Sequence, residues 1–280
     1  MKRKIDANKP KIKIPFGSNY IKTKEIVHKH HLHTICESGH CPNLAECWGN
    51  KTATLMILGN ICTRSCKYCS VPTGKPLAPD PNEAEQIAKS VQLMQLKHCV
   101  LTSVDRDDLD DLGASFWANV ITTIRKENPH TTLETLIPDF DGKEHLLDII
   151  INVKPEIVSH NLETVARLTP NIRSKAKYKT SLKTLQYLAK KGIKTKTGIM
   201  LGLGETQKEV LDLMDDVLTV GCRIITIGQY LQPDIKNITV QRFISEKEFK
   251  FYKEKGLEKG FKFIESGSLI RSSYHAEKHI

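Results

Sequence analysis

The chain has 280 residues, of which 39% are hydrophobic, 6% aromatic and 26% charged. These proportions suit a soluble globular protein and exclude a disordered, collagenous or disulfide-dense miniature fold. Lys plus Arg is 42 against 32 Asp plus Glu, a formal charge of +10. No apolar run approaches the ~20 residues that span a bilayer, and Met1–Asp6 lacks the apolar core of a secretory signal, so a cytoplasmic, reducing location without membrane contact is expected.

The basic excess sits in two blocks. Residues 1–24 hold eight Lys or Arg against Asp6 alone, and 174–196 hold eight lysines and no carboxylate. Such blocks attract an acidic partner over a salt-screened range, or else form a solvated helix face and a tail. They lack the interleaved aromatics of a nucleic-acid stacking platform, so no nucleic-acid partner is expected.

In chain order, residues 1–35, with Pro10, Pro15 and Gly17, read as an extended wrapping arm. Thr54–Leu58 is a short apolar run that reads as a buried strand. Asp80 as N-cap and Pro81 at the first helical position open a helix, whose Ala84, Ile87, Ala88, Val91 and Met94 recur at helical spacing. Strands are then predicted at 99–104, about 131–137, 156–159, 194–201 and 223–231. Helices alternate with them over about 113–127, 143–152, a stretch to 191, 206–219 and 245–259. Six strand–helix units argue for parallel strands with right-handed crossovers. Six units do not complete an eightfold barrel, so the expected fold is α/β, a partial (β/α)6 barrel spanning 51–260. An N-terminal cysteine arm (1–50) and a C-terminal tail (261–280) would flank it. In such folds ligands bind beyond the carboxyl ends of the strands.

Eight cysteines carry most of the chemical information, and in a reducing compartment disulfides are the wrong default. Six of them (36, 41, 47, 62, 66 and 69) fall within 34 positions as two triads, while Cys99 and Cys222 stand alone and read as small buried hydrophobes. Cys62-Thr63-Arg64-Ser65-Cys66-Lys67-Tyr68-Cys69 directly follows the first strand. Structural zinc wants four ligands, usually as two separated pairs. A [4Fe–4S] cluster is normally held by four thiolates, so three on one loop would leave an iron open for a small molecule.

This CxxxCxφC loop, with Tyr68 as its aromatic, on a partial (β/α)6 pattern resembles the radical S-adenosylmethionine (SAM) superfamily. The resemblance implies a [4Fe–4S] cluster on Cys62, Cys66 and Cys69, with SAM chelated to its open iron and cleaved after electron transfer. Such cofactors carry the hard chemistry, and the protein places them and excludes side reactions. Within that superfamily, Cys36-x4-Cys41-x5-Cys47 in the string Cys41-Pro42-Asn43-Leu44-Ala45-Glu46-Cys47 is similar to the branch that inserts sulfur. So are Thr52–Gly59, Thr102–Leu109, His160–Glu163, Gly202–Thr206, Gly228–Pro233 and Arg271-Ser272-Ser273-Tyr274, a likeness covering about residues 9–276. Leu112 and Ala166 stand where that branch often has Gly and Pro.

The resemblance implies that Cys36, Cys41, Cys47 and Ser273 hold a second [4Fe–4S] cluster that donates sulfur. An oxygen ligand, poor for soft metal centres, suits a cluster that must come apart. It also implies that Tyr68, Ser103, Asp105, Asn161 and Glu163 surround SAM, and that no side chain is catalytic beyond the two clusters. The reaction implied inserts two sulfurs, at the sixth and eighth carbons of an octanoyl chain on a lysine of a lipoyl carrier domain. That carrier would be a 2-oxoacid dehydrogenase subunit or the glycine-cleavage H protein, and an electron donor is required. Two rivals are a different radical SAM reaction and a zinc-bearing nucleic-acid-binding protein. Asp105–Asp110 fails as a calcium loop, because Leu109 and Asp110 stand where a ligand and Gly belong. Gly202-Leu203-Gly204 lacks the last glycine of a dinucleotide fingerprint. The histidines at 28, 30, 31, 33 and 40 read as a surface segment.

Overall fold

A computed structural model describes residues 6, 8–11, 17–29, 32–49 and 54–280. Thr52, Ala53, His30, His31, Pro15 and, of the first basic block, Lys2, Arg3, Lys4 and Lys13 lie outside the described residues. The elements run α1 (Ser18–Lys29), β1 (His33–Thr34), α2 (Ile35–Ser38), α3 (Leu44–Gly49), β2 (Thr54–Ile57), α4 (Glu83–Met94), β3 (His98–Ser103) and α5 (Ala114–Glu127). Then follow β4 (Thr132–Leu136), α6 (Glu144–Asn152), β5 (Ile157–Ser159), α7 (Thr169–Ile172), α8 (Tyr178–Lys190), β6 (Thr195–Leu201), α9 (Gln207–Thr219), β7 (Ile224–Gln229), α10 (Glu246–Lys259) and β8 (Phe263–Gly267).

All eight strands form one sheet in sequential order. β2 through β8 are parallel, while β1 pairs antiparallel with β2 (His33 opposite Met56). No pairing joins β8 back to β1 or β2 among the described residues, so the sheet is an open barrel. The expected six strand–helix units are all present. The structure adds β8, which the sequence reading left in the tail; only Ile264 of its five residues is fully buried, so a half-buried edge strand shows no apolar run.

The burial pattern explains why these segments take these shapes. β2 is buried along its whole length, as a strand covered on both faces must be. In α4 the predicted apolar face is the buried face. In α9 the face is Val210, Leu213, Met214 and Val217, and its start is a capping box between Thr206 and Glu209, which satisfies orphan N–H groups at both positions. Two local expectations are corrected. α4 begins two residues later than Pro81, because Asp80 Oδ1 accepts from Asn82 N in a turn before the helix (2.9 Å). The arm is helical over Ser18–Lys29 rather than extended: Val27 is buried, and Tyr20 stacks on Trp48 of α3 at 5.6 Å. Its stability comes from that packing, since a 12-residue helix is marginal alone.

Candidate active site

The first cysteine loop leaves β2 at the carboxyl end of the parallel strands, and Arg64 inside the loop fixes its shape. Its guanidinium forms a bidentate pair with Asp107 (2.9 Å twice) and reaches Asp105 at 3.2 Å and Asp139 at 3.0 Å. Those carboxylates follow β3 and β4, so one buried cation ties three strand ends together. Thr63 Oγ1 adds a bond to Asp105 O (2.9 Å). Although burial opposes it, Arg64 and Lys175 hold the Asp107 carboxyl well below the usual range. Burial pushes Asp105 up despite its nearby guanidinium. Arg106 pairs with Asp108 and donates to Leu58 O and Leu77 O, bracing both ends of the loop.

The cysteine sulfurs sit among donors that suit thiolates. Cys62 Sγ accepts from the backbone N–H groups of Arg64 (3.4 Å) and Asp105 (3.3 Å). Hydrogen bonds to sulfur are a recognised means of tuning iron–sulfur centres. Without bound metal, burial pushes the Cys62 thiol up to about 11 and the Cys36 and Cys69 thiols up to about 12. All eight cysteines are free, and Cys99 and Cys222 are fully buried in the apolar core as expected. Among the described residues no three His, Cys, Asp or Glu side chains are gathered as for a single metal ion.

Two cavities meet at the tail. The larger, about 300 Å³, occupies the barrel mouth and is lined by Cys62, Cys66, Cys69, Tyr68, Ser103, Asp105, Asn161 and Glu163, all expected from sequence. The smaller, about 170 Å³, is lined by Cys36, Cys41, Cys47 and Ser273. Cys36, Cys41, Thr54, Arg271 and Ser273 border both. The tail reaches this place through bonds to the N-terminal segment: Asn43 Nδ2 donates to Leu269 O (2.7 Å) and Tyr274 Oη donates to Glu46 (2.7 Å). Ser70 Oγ, just past the barrel loop, donates to Ser38 O between the upstream cysteines.

Other expected residues have defined contacts. Ser103 Oγ accepts from Trp117 Nε1 (3.2 Å). Asn161 and Ser272 share side-chain hydrogen bonds of 2.8 and 3.1 Å. This contact needs the bare backbone of Gly198, whose added Cβ would lie 2.8 Å from Ser272 Oγ and 2.9 Å from Asn161 Oδ1. Glu163 takes φ 65°, a left-handed conformation costly for a residue with a side chain. It is locked there by Glu163 N to Gly198 O (3.0 Å) and Met200 N to Glu163 O (2.8 Å). Leu112, where Gly was anticipated from the resemblance, has φ 54°, the conformation Gly takes without strain. Among the histidines, His28 pairs with Glu37 and His40 with Ser70.

Sequence reasoning missed Arg64, Arg173 and Arg271, all lining the larger cavity. The only signal was position: Arg64 lies inside the cysteine loop, Arg173 heads the second basic block and Arg271 precedes the serine pair. It also misplaced Lys196. That residue belongs to no solvated face; it is fully buried inside the barrel and paired with Glu134 at 2.9 Å.

The model of the radical SAM superfamily matches residues 56–217. Lipoyl synthase of Parabacteroides distasonis is 57% identical over 271 residues, covering 96% of each chain. Mitochondrial lipoyl synthase of Nematostella vectensis is 56% identical over 276 residues, covering 97% of this chain and 95% of the relative. The chain belongs to the lipoyl synthase family of radical SAM enzymes. It is a sulfur-inserting enzyme that uses SAM and two [4Fe–4S] clusters. This leaves no place for the zinc-bearing nucleic-acid binder. Among solved structures, Streptococcus suis SuiB bound to precursor peptide SuiA shares the fold, with a TM-score of 0.60 at 11% identity. The likeness covers 95% of this chain, which spans 58% of that one. No helix among the described residues is long and apolar enough to cross a membrane.

Proposed function

We propose that the larger cavity is the radical-generating site and the smaller one the sulfur-donor site of a single reaction chamber. In this reading Cys62, Cys66 and Cys69 hold the SAM-binding cluster, and Cys36, Cys41, Cys47 and Ser273 hold the auxiliary one. When bound, these groups supply hydrogen abstraction from an unactivated carbon and the sulfur that replaces the hydrogen. No general base near neutral pH removes such a hydrogen, so the reaction calls for a radical. The observation that carries the reading is the shared border: Cys36, Cys41 and Ser273 line the same cavity as Cys62, Cys66 and Cys69.

The chain's own residues place the reactants. Arg64 holds the cysteine loop to the ends of β3 and β4. Tyr68, Ser103, Asp105, Asn161 and Glu163 surround SAM, with the fixed backbone at Glu163 presenting its carboxylate without rearrangement. The apolar lining, including Met56, Val104, Leu136, Ile137, Ile199 and Met200, suits an alkyl chain and keeps water from a reactive carbon.

The substrate is an octanoyl chain on a lysine of a lipoyl carrier domain, converted at its sixth and eighth carbons. A 2-oxoacid dehydrogenase subunit or the glycine-cleavage H protein provides that lysine in the cytoplasm, with a separate electron donor. Exposed lysines of the second basic block, Lys177, Lys179, Lys183 and Lys190 among them, complement an acidic carrier. The decisive experiment is mass spectrometry of an octanoylated carrier peptide after anaerobic incubation with SAM and reductant. The expected product carries two added sulfurs. The variant C36A/C41A/C47A should cleave SAM and add none; sulfur in its product would sink the donor assignment.

A further inference from the structure

Arg271 is an anomaly of charge. It lines both cavities and, among the described residues, is the only Lys or Arg lining the smaller one. The other arginines at the barrel mouth are held by several partners: Arg64 pairs with Asp105, Asp107 and Asp139, and Arg106 with Asp108, while Arg173, itself without a carboxylate within 4.0 Å among the described residues, donates to Asn161 O, Leu162 O and Ser181 Oγ. Arg271 has no carboxylate within 4.0 Å among the described residues, and its side-chain bond is Nη1 to the neighbouring Ile270 O at 2.7 Å. The carboxylates lining the smaller cavity are engaged elsewhere, Glu46 by Tyr274 and Glu277 by His275. A guanidinium stays protonated in any protein setting. Half-buried without an anion beside it, that charge loses solvation without compensation.

The barrel makes room for this placement. An added Cβ on Gly228 of β7 would lie 2.1 Å from Ile270 O and 3.2 Å from Arg271 Nη1. The wall is therefore cut away where the tail brings its cation past the strands. Cys41 lines the same two cavities as Arg271, and Ser273 lies two residues on. The octanoyl chain is neutral and offers no counter-ion.

We propose that Arg271 is a positioning residue of the sulfur-donor site, the counter-cation of the cluster held there. This rests on the assignment of Cys36, Cys41, Cys47 and Ser273 made above. Three thiolates and an alkoxide outweigh the positive charge of the cluster core, so the site is anionic and becomes more so on reduction. A fixed cation beside it favours the reduced form and resists loss of the cluster. It also faces the chamber where the two cavities meet.

The test uses full-length C62A/C66A/C69A protein, reconstituted anaerobically and studied without SAM, so that only the upstream site is loaded and SAM's carboxylate is absent. Iron and sulfide content and the midpoint potential of the cluster are measured for this parent and for added R271Q and R271K. R271Q is expected to load a cluster whose reduction equilibrium falls at least tenfold, about 59 mV to lower potential for one electron. R271K should stay near the parent. If R271Q fails to load while R271K loads with the parent potential, charge is again what matters. An unchanged potential in loaded R271Q overturns the proposal, as does equal failure of both variants, which would make the role one of shape. A parent that binds no iron overturns the assignment of the upstream triad itself, and the proposal with it.

Discussion

The two cysteine triads are built on opposite plans. The barrel triad spans eight residues on one loop, and its frame is a buried arginine tied to three aspartates at strand ends. The upstream triad lies on short elements, and the site around it closes only when a segment more than 220 residues away docks through Asn43 to Leu269 and Tyr274 to Glu46. The first plan is stiff because its bonds are short, charged and covered. The second depends on two chain ends meeting through a few hydrogen bonds, each with a modest net contribution. A site that only recycles electrons gains from the first plan; a site that surrenders sulfur and must be rebuilt gains from the second.

The largest effect is expected for Arg64→Ala. It leaves Asp105, Asp107 and Asp139 crowded without their cation, at a cost of about 3–5 kcal/mol, read as a fall in the chemical denaturation midpoint. Iron at the upstream triad, measured in the C62A/C66A/C69A background, should survive in the fraction that remains folded. Equal loss at both triads would show that the two frames are not separate.

Acid should also strike the barrel. His160 is buried between Ile137 O and Ser181 Oγ (2.9 Å each) and burial lowers it to about 4. Its folded value lies below the unfolded one near 6.5, so the unfolded chain takes up the proton first. The stabilisation is whole above about pH 6.5 and is lost as pH falls toward 4, by about 3 kcal/mol. Denaturation midpoints followed across that window should fall with acid, and fall less steeply in His160→Gln. An identical slope in the variant would assign the loss elsewhere.

Tyr274→Phe removes one hydrogen bond to a carboxylate, about 1.5–3 kcal/mol, and should loosen the tail alone. Faster iron release from the upstream site, with iron at the barrel triad retained, is the expected result. Equal release from both would erase the contrast. The smallest effect is expected for K183Q/K190Q on the exposed face of α8. KM for the carrier should rise less than tenfold at low salt and converge with the parent at high salt, with SAM cleavage unchanged. A salt-independent KM would remove docking by this face.

Much of this was readable before any coordinates. Short apolar runs, and apolar residues recurring at period 3.6 between them, exposed six strand–helix units, since burial of a strand or of a helix face is a local property of the chain. β8 escaped because an edge strand buried on one side has little apolar signature. The arm helix escaped because its stability lies in Trp48 and not in its own residues. Lys196 looked like part of a solvated run and is a buried partner of Glu134, because a strand sends alternate side chains inward regardless of what their neighbours do.

Cysteine type and spacing, aromatic placement in the loop and the α/β rhythm are written in neighbouring residues, and these determined the family and its chemistry. What only the tertiary structure decided is which distant groups share a wall. The meeting of Ser273 with Cys36 and Cys41, the three aspartates around Arg64 and the unpaired cation at Arg271 all depend on how an open parallel sheet brings its strand ends to one mouth. Spacing along the chain encodes local geometry, whereas a shared cavity follows from the packing of the whole.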